Sequence, residues 1–289
     1  MRKVFILGNP RSGTSLFRLM LNSHPNIVSP PECGFLHWWY PKYQDWKWNN
    51  NSEADLERYI TDLSNSKKIE TWNISFPKLA DFLFKQRPDS YNDLVTLVYV
   101  FYGMMNGKNP SVIADKNNYY INYLNDLRRI WPDAVYIHLI RDGRDVACSY
   151  IDLKNMSSNS VYKPNLSNKI NEIAVEWRDN NEAIASFISS FSARSGKTIK
   201  YEDLILKTES VLREVSLFLD IPFHREMLSY NDARNHNEPV QTMDWKKKTL
   251  ENPDPQRISR FRSCLRKDEI ELFNSIAEKT LLKFNYSLS

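Results

Sequence analysis

The stretch GNPRSGTS, residues 8–15, follows the apolar run KVFIL and precedes LFRLMLNSH. Gly8 and Gly13 keep the outer spacing of the phosphate-binding loop G-x-x-x-x-G-K-[ST], yet Thr14 stands at the lysine position and Arg11 lies inside the loop. A glycine-bearing turn between a strand and a helix leaves backbone N–H groups unpaired, with the positive end of the helix dipole behind them, so an anion belongs there. Without the lysine, and with no clear pairing of an apolar strand and a following Asp to hold magnesium, a γ-phosphoryl reaction is poorly supported. The same residues also suit a plain tight turn with a solvated arginine. A second stretch, YIHLIRDGRDVACSY, places Arg141 where a strand ends and Ser149 about two turns into the helix behind it. An arginine and a hydroxyl so placed can hold one phosphate between them. A local Arg141–Asp142 pair with a buried helix serine is the competing reading.

Together the two stretches describe two anion sites on the carboxyl edge of one sheet, as a nucleotide phosphorylated at both ends requires. At this point the sequence resembles the sulfotransferases that use 3′-phosphoadenosine 5′-phosphosulfate (PAPS), particularly their protein-tyrosine and bacterial branches. The family's P-[KR]-S-G-T loop, which embraces the 5′-phosphosulfate, is matched by Pro10, Arg11, Ser12, Gly13 and Thr14, with Ser15 next in line. The strand-end arginine and the serine eight residues later, which hold the 3′-phosphate, are matched by Arg141 and Ser149. SHPNI, ADKNN, RRIWPDAVYIHLIRDGRDVACS and IKYEDLI…LFLDIP extend the likeness over residues 3–32 and about 111–223. It implies a PAPS donor, no metal, and transfer of a sulfuryl group to a hydroxyl acceptor, with a carbohydrate or other small molecule favoured and a protein tyrosine as the alternative.

Such a transfer needs a base for the hydroxyl proton and cations for the departing phosphate. Arg11 is one cation and Lys116, ending SVIADK, the other; the resemblance assigns the latter to the leaving group. Glu32, in SPPECGF, is the candidate base by the same resemblance, with His24 and His37 as rivals. Tyr201 in IKYEDL matches a tyrosine that helps bind the nucleotide. Lys246, Lys247, Lys248 and Arg257 are candidates for the basic cover over the 3′-phosphate, although a solvated basic surface explains them equally.

These groups need a scaffold, and the chain spells one out. KVFIL, SVIAD, AVYIHLI and KTIKYEDL read as strands, and helical periodicity follows at 14–24, about 53–65, 77–86, 90–106, 119–131, 167–193 and 209–219, with a last amphipathic helix over 266–284. Alternation of this kind predicts a single α/β domain, its central, mostly parallel sheet flanked by helices. The nucleotide motifs lie on either side of residues 35–110, which reads as a helical acceptor-side insertion. Trp38, Trp39, Trp46 and Trp48 fall at its start; flat faces there suit stacking on a sugar or aromatic acceptor, a core, or a dimer contact.

A net charge of +4 over 289 residues suits a small anionic ligand better than nucleic acid, for which a basic stripe would be expected. Cys33, Cys148 and Cys264 are far apart and odd in number, so neither a disulfide framework nor a metal knuckle is expected. No apolar stretch reaches the length of a membrane span, and a cytoplasmic protein is expected. A P-loop kinase and a non-catalytic nucleotide-binding module are the rival readings.

Overall fold

Five strands form one parallel sheet in a computed structural model of the chain, which describes residues 1–49, 52–192, 194–232 and 236–288. The strands are β1 (Arg2–Leu7), β2 (Ile27–Val28), β3 (Val112–Lys116), β4 (Val135–Ile140) and β5 (Gly196–Lys200), in the order β2-β3-β1-β4-β5. Every pair is parallel, with Ile6 opposite Lys116 and Ile137, and Ile140 opposite Lys200. Parallel strands are covered on both faces, which is why VFIL, residues 4–7, is apolar throughout rather than alternating.

The two-residue period sorts that strand between two cores. Phe5 and Leu7 face a large aromatic cluster, where the Phe5 ring meets Tyr120 edge-on at 5.7 Å and stacks on Tyr136 at 5.8 Å. Val4 and Ile6 face the opposite way, onto Phe17 and Met20 of the first helix (Thr14–Asn22) and onto Ile137 and Ile199. A third cluster, around Cys148, Trp177 and Phe273, joins the helices Gly143–Asn155, Ile170–Ser189 and Lys267–Lys283. Helices Ser52–Ser64, Phe76–Gln86 and Tyr91–Met105 pack on the aromatic side.

Three segments depart from the sequence expectation. KTIKYEDL is strand only to Lys200, because Tyr201–Leu206 is a helix with Glu202 and Asp203 in its first turn, where acidic side chains favour helix initiation. The helix expected at 119–131 divides into a 3-10 turn, Asn118–Tyr123, and a short helix, Leu124–Ile130. Tyr119 and Tyr120 direct their hydroxyls to the Gly34 carbonyl and the Asp115 carboxylate, holding the tighter turn. The two-residue strand β2 is too short to show a period. No described helix is long and apolar enough to cross a membrane.

The carboxyl ends of the strands share one edge. β1 runs into the glycine loop, β3 ends on Lys116, β4 delivers Arg141, β5 delivers Tyr201, and β2 leads through three residues to Glu32. This is the edge at which open α/β sheets bind their ligands.

Candidate active site

The glycine loop is shaped by close approach. A Cβ on Gly8 would stand 2.5 Å from the Leu139 carbonyl oxygen, so only glycine lets β1 leave the sheet beside β4. Asn9 is pinned from two helices: its Nδ2 donates to the Tyr150 hydroxyl at 3.0 Å and its Oδ1 accepts from Asn180 Nδ2 at 2.7 Å. Arg11 and Gly13 have positive φ, 69° and 93°. A Cβ on Gly13 would also lie 2.5 Å from the Tyr201 ring. No side chain caps the helix that begins at Thr14, which leaves its first N–H groups to a ligand. Ser12 is fully buried and its hydroxyl has no hydrogen-bond partner.

Three guanidinium groups gather beside this loop. Arg11 Nε donates to the Ser149 hydroxyl at 3.0 Å, and Nη2 to the Trp245 carbonyl at 3.3 Å. Arg141 donates to the Arg11 carbonyl at 3.4 Å and the Arg257 carbonyl at 2.8 Å, and its guanidinium lies 4.5 Å from the centre of the Tyr201 ring. Burial, followed by repulsion from Arg141 and Arg257, pushes the Arg11 guanidinium down to about 10. Asp145 comes no closer to Arg141 than 4.0 Å, and the buried Nε atoms of Arg141 and Arg257 have no hydrogen-bond partner. Asp142 caps its own helix and pairs with Arg144 at 2.8 Å instead of with Arg141. Arg257 is partly exposed and meets Asp254 only at 3.7 Å. Clustered cations that repel one another and keep unused donors suit a multiply charged anion.

The other end of the site is built around a carboxylate. One Glu32 oxygen pairs with the Lys116 ammonium and the other with Lys68 Nζ at 3.0 Å. Burial alone would raise the Glu32 carboxyl, but Lys116, Lys246 and Lys68 together hold it well below the usual carboxylate range. Lys116 itself, almost wholly buried, is pushed down to about 8 by desolvation against the opposing pull of Glu32. Lys246 is 2.7 Å from Glu238, whose other oxygen meets the buried Arg18 at 2.7 Å, and Arg18 also donates to the Ser29 carbonyl at 2.6 Å. A chain of alternating charge thus runs from the first helix to the late basic segment.

Both ends open into one pocket of about 530 Å³. Arg11, Gly13, Thr14, Ser15, Arg141, Ser149 and Tyr201 line it, as do Glu32 and Lys116. Ser12 lies beneath the surface. Of the late basic residues Lys246, Lys248 and Arg257 reach the pocket, whereas Lys247 is not among its lining residues. The guanidinium of Arg11, expected beside the departing group, stands with Ser149 and Arg141.

Both histidine rivals are engaged elsewhere: His24 contacts the Pro222 carbonyl at 2.9 Å and accepts from Asn26 N–H, and His37 meets Asp126 at 3.2 Å. Only Trp38 of the four tryptophans borders the pocket. Trp39 donates to Ser66, Trp46 to the Pro88 carbonyl, and Trp48 packs on Phe84. Lys68, Tyr162 and Trp245 also line the pocket and carried no signal in the sequence, being single residues in irregular segments.

A parallel sheet whose strand ends bring a phosphate-type loop, a guanidinium cluster and a lysine-paired carboxylate into one pocket suits an anionic ligand held beside a carboxylate. The chain belongs to the sulfotransferase family, whose model matches residues 3–225, and it is a sulfotransferase. It is 22% identical to a putative protein-tyrosine sulfotransferase of Caenorhabditis briggsae over 95% of this chain and 85% of that one. It is 25% identical to protein-tyrosine sulfotransferase 1 of Danio rerio over 82% of this chain, but spans only 56% of that relative. Its fold is similar to the sulfotransferase domain from the curacin biosynthetic pathway (TM-score 0.68, 19% identity, 100% and 99% of the two chains). A more distant likeness is to mouse sulfotransferase SULT7A1, solved with PAP (TM-score 0.50, 11% identity, 97% and 84%).

Proposed function

We propose that this sulfotransferase takes its sulfuryl group from PAPS and delivers it to a hydroxyl acceptor, with Glu32 as the base. The observation that carries the reading is the pairing within one pocket of three neighbouring guanidinium groups, whose carboxylate partners stand no closer than 3.7 Å, and a separate carboxylate–lysine pair. Unused donors on Ser12, Arg141 and Arg257 fit phosphate oxygens, and mouse SULT7A1 is a structural neighbour solved with PAP.

When bound, the donor supplies an activated sulfuryl group on its 5′-phosphate. In this reading Arg141, Ser149 and Arg11 hold the 3′-phosphate, with the Tyr201 face closing that side. The N–H groups of Gly13 and Thr14 receive the 5′ end. Glu32 accepts the acceptor's hydroxyl proton as the new oxygen–sulfur bond forms, and the Lys116 ammonium neutralises charge gathering on the departing phosphate oxygen. Helices from residues 35–110 frame the acceptor side, and the faces of Trp38 and Tyr162 at the pocket suit a saccharide or other small hydroxyl compound. A protein tyrosine is the second reading, favoured by the names of the Caenorhabditis and Danio relatives.

The test is incubation with sulfur-labelled PAPS and a panel of saccharides, phenols and tyrosine peptides. Label entering an acceptor at a rate abolished by Glu32→Gln supports the proposal. Label that remains on the nucleotide across the panel contradicts it.

A further inference from the structure

Lys68 sits in a short turn that is over-determined by its contacts. Its φ is +72°, a left-handed conformation that is strained for a lysine and persists only where the surroundings enforce it. Its carbonyl accepts from both the Thr71 hydroxyl at 2.6 Å and the Thr71 N–H at 3.0 Å. The turn is then docked on the segment that carries Glu32: Trp72 Nε1 donates to the Pro31 carbonyl at 2.9 Å, and Cys33 Sγ approaches the Lys67 carbonyl at 3.4 Å. From the far side the Tyr162 ring lies 5.7 Å from the Lys68 ammonium, while its hydroxyl bonds Glu70 two residues along. Strained backbone and contacts on three sides thus serve to aim one ammonium at the Glu32 oxygen that Lys116 leaves free.

We propose that Lys68 is a positioning residue for the base, fixing the plane of the Glu32 carboxylate and keeping it ionised to receive the acceptor's proton. Glu32 faces charged groups from three elements: Lys116 at the end of β3, Lys246 from the late basic segment, and Lys68 from this turn, and it in turn opposes ionisation of the buried Asp115. Lys116 is almost wholly buried, whereas the Lys68 side chain retains 23% exposure. Lys68 is therefore the cation through which the helical region 35–110 acts on the base. The inference rests on the reading of Glu32 as base only for its catalytic meaning, since the charge pairing itself is testable without turnover.

The experiment is an NMR titration of side-chain carboxyls in isotope-labelled protein, the Glu32 signal being assigned by its loss in Glu32→Gln. Lys68→Met, and Lys68→Gln should the first variant fail to fold, is expected to raise the Glu32 midpoint by about one pH unit, the lower end of the effect of a neighbouring charge because Lys68 is partly exposed. Lys68→Arg keeps the charge and is expected to restore the wild-type midpoint. In a transfer assay with labelled PAPS and 4-nitrophenol, the acid limb of kcat/KM should move upward with it in Lys68→Met. An unchanged midpoint in Lys68→Met, or an equal shift in Lys68→Arg, overturns the inference. A shifted midpoint without label transfer to any acceptor sustains the pairing and overturns the transfer reading instead.

Discussion

Replacing Glu32 by glutamine keeps its volume and removes its capacity to take a proton. Turnover of labelled PAPS by Glu32→Gln is expected to fall about 10²- to 10⁴-fold, the usual worth of a positioned general base, with PAP affinity by calorimetry within a few fold of wild type. A loss confined to affinity would reassign the residue. The kcat/KM profile of the free enzyme should be bell-shaped. Glu32 must be ionised and sets the acid limb, whereas Lys116 must be protonated, so activity declines as pH rises through about 8. An alkaline limb unchanged in Lys116→Arg would assign it to another group. Arg11, Arg141 and Ser149 were legible as pocket residues because their spacing follows strand and helix ends, and Tyr201 through the family resemblance. Lys68 and Glu238 were not, because they reach Glu32 and Arg18 across 36 and 220 residues of chain through tertiary packing alone.

The glycine loop is the element that ties sheet to site. Gly13→Ala introduces an L-residue at φ 93° and a methyl group 2.5 Å from the Tyr201 ring. It should cost about 1–2 kcal/mol in urea denaturation for the backbone alone, and weaken PAP binding because Tyr201 must retreat from Arg141. Unchanged denaturation and unchanged affinity together would show that the loop relaxes freely. The central strands β1 and β4 could be read from their apolar runs, since burial on both faces leaves His138 the one polar residue in β4. The boundary at Lys200 could not, because Tyr201 and Leu204 suit either a strand or a helix. What decides it is Glu202, which accepts from the Asp142 N–H at 2.9 Å and from the Tyr286 hydroxyl at 2.9 Å.

The fold as a whole is closed by charge as well as by apolar packing. Glu238 lies buried between Arg18 and Lys246 and joins the first helix to the late segment that covers the pocket. Burial acts to raise its carboxyl, yet Lys246 and Arg18 win and hold it at about 2 against an ordinary 4.5. Because the folded value is depressed, the contribution to stability is fully present above about 4.5 and is lost as pH falls towards 2, amounting to about 3 kcal/mol. Glu238→Gln leaves Arg18 buried without its counter-charge, and urea denaturation at neutral pH should register a loss of about 3–5 kcal/mol. A variant as stable as wild type, with the same acid dependence, would refute that role. Whether the guanidinium cluster receives the 3′-phosphate of the donor is decided by calorimetric titration with PAP and with 5′-AMP. PAP should bind at least about tenfold more tightly than 5′-AMP, with the advantage abolished in Arg141→Ala; equal affinities in the wild-type protein would show that it does not.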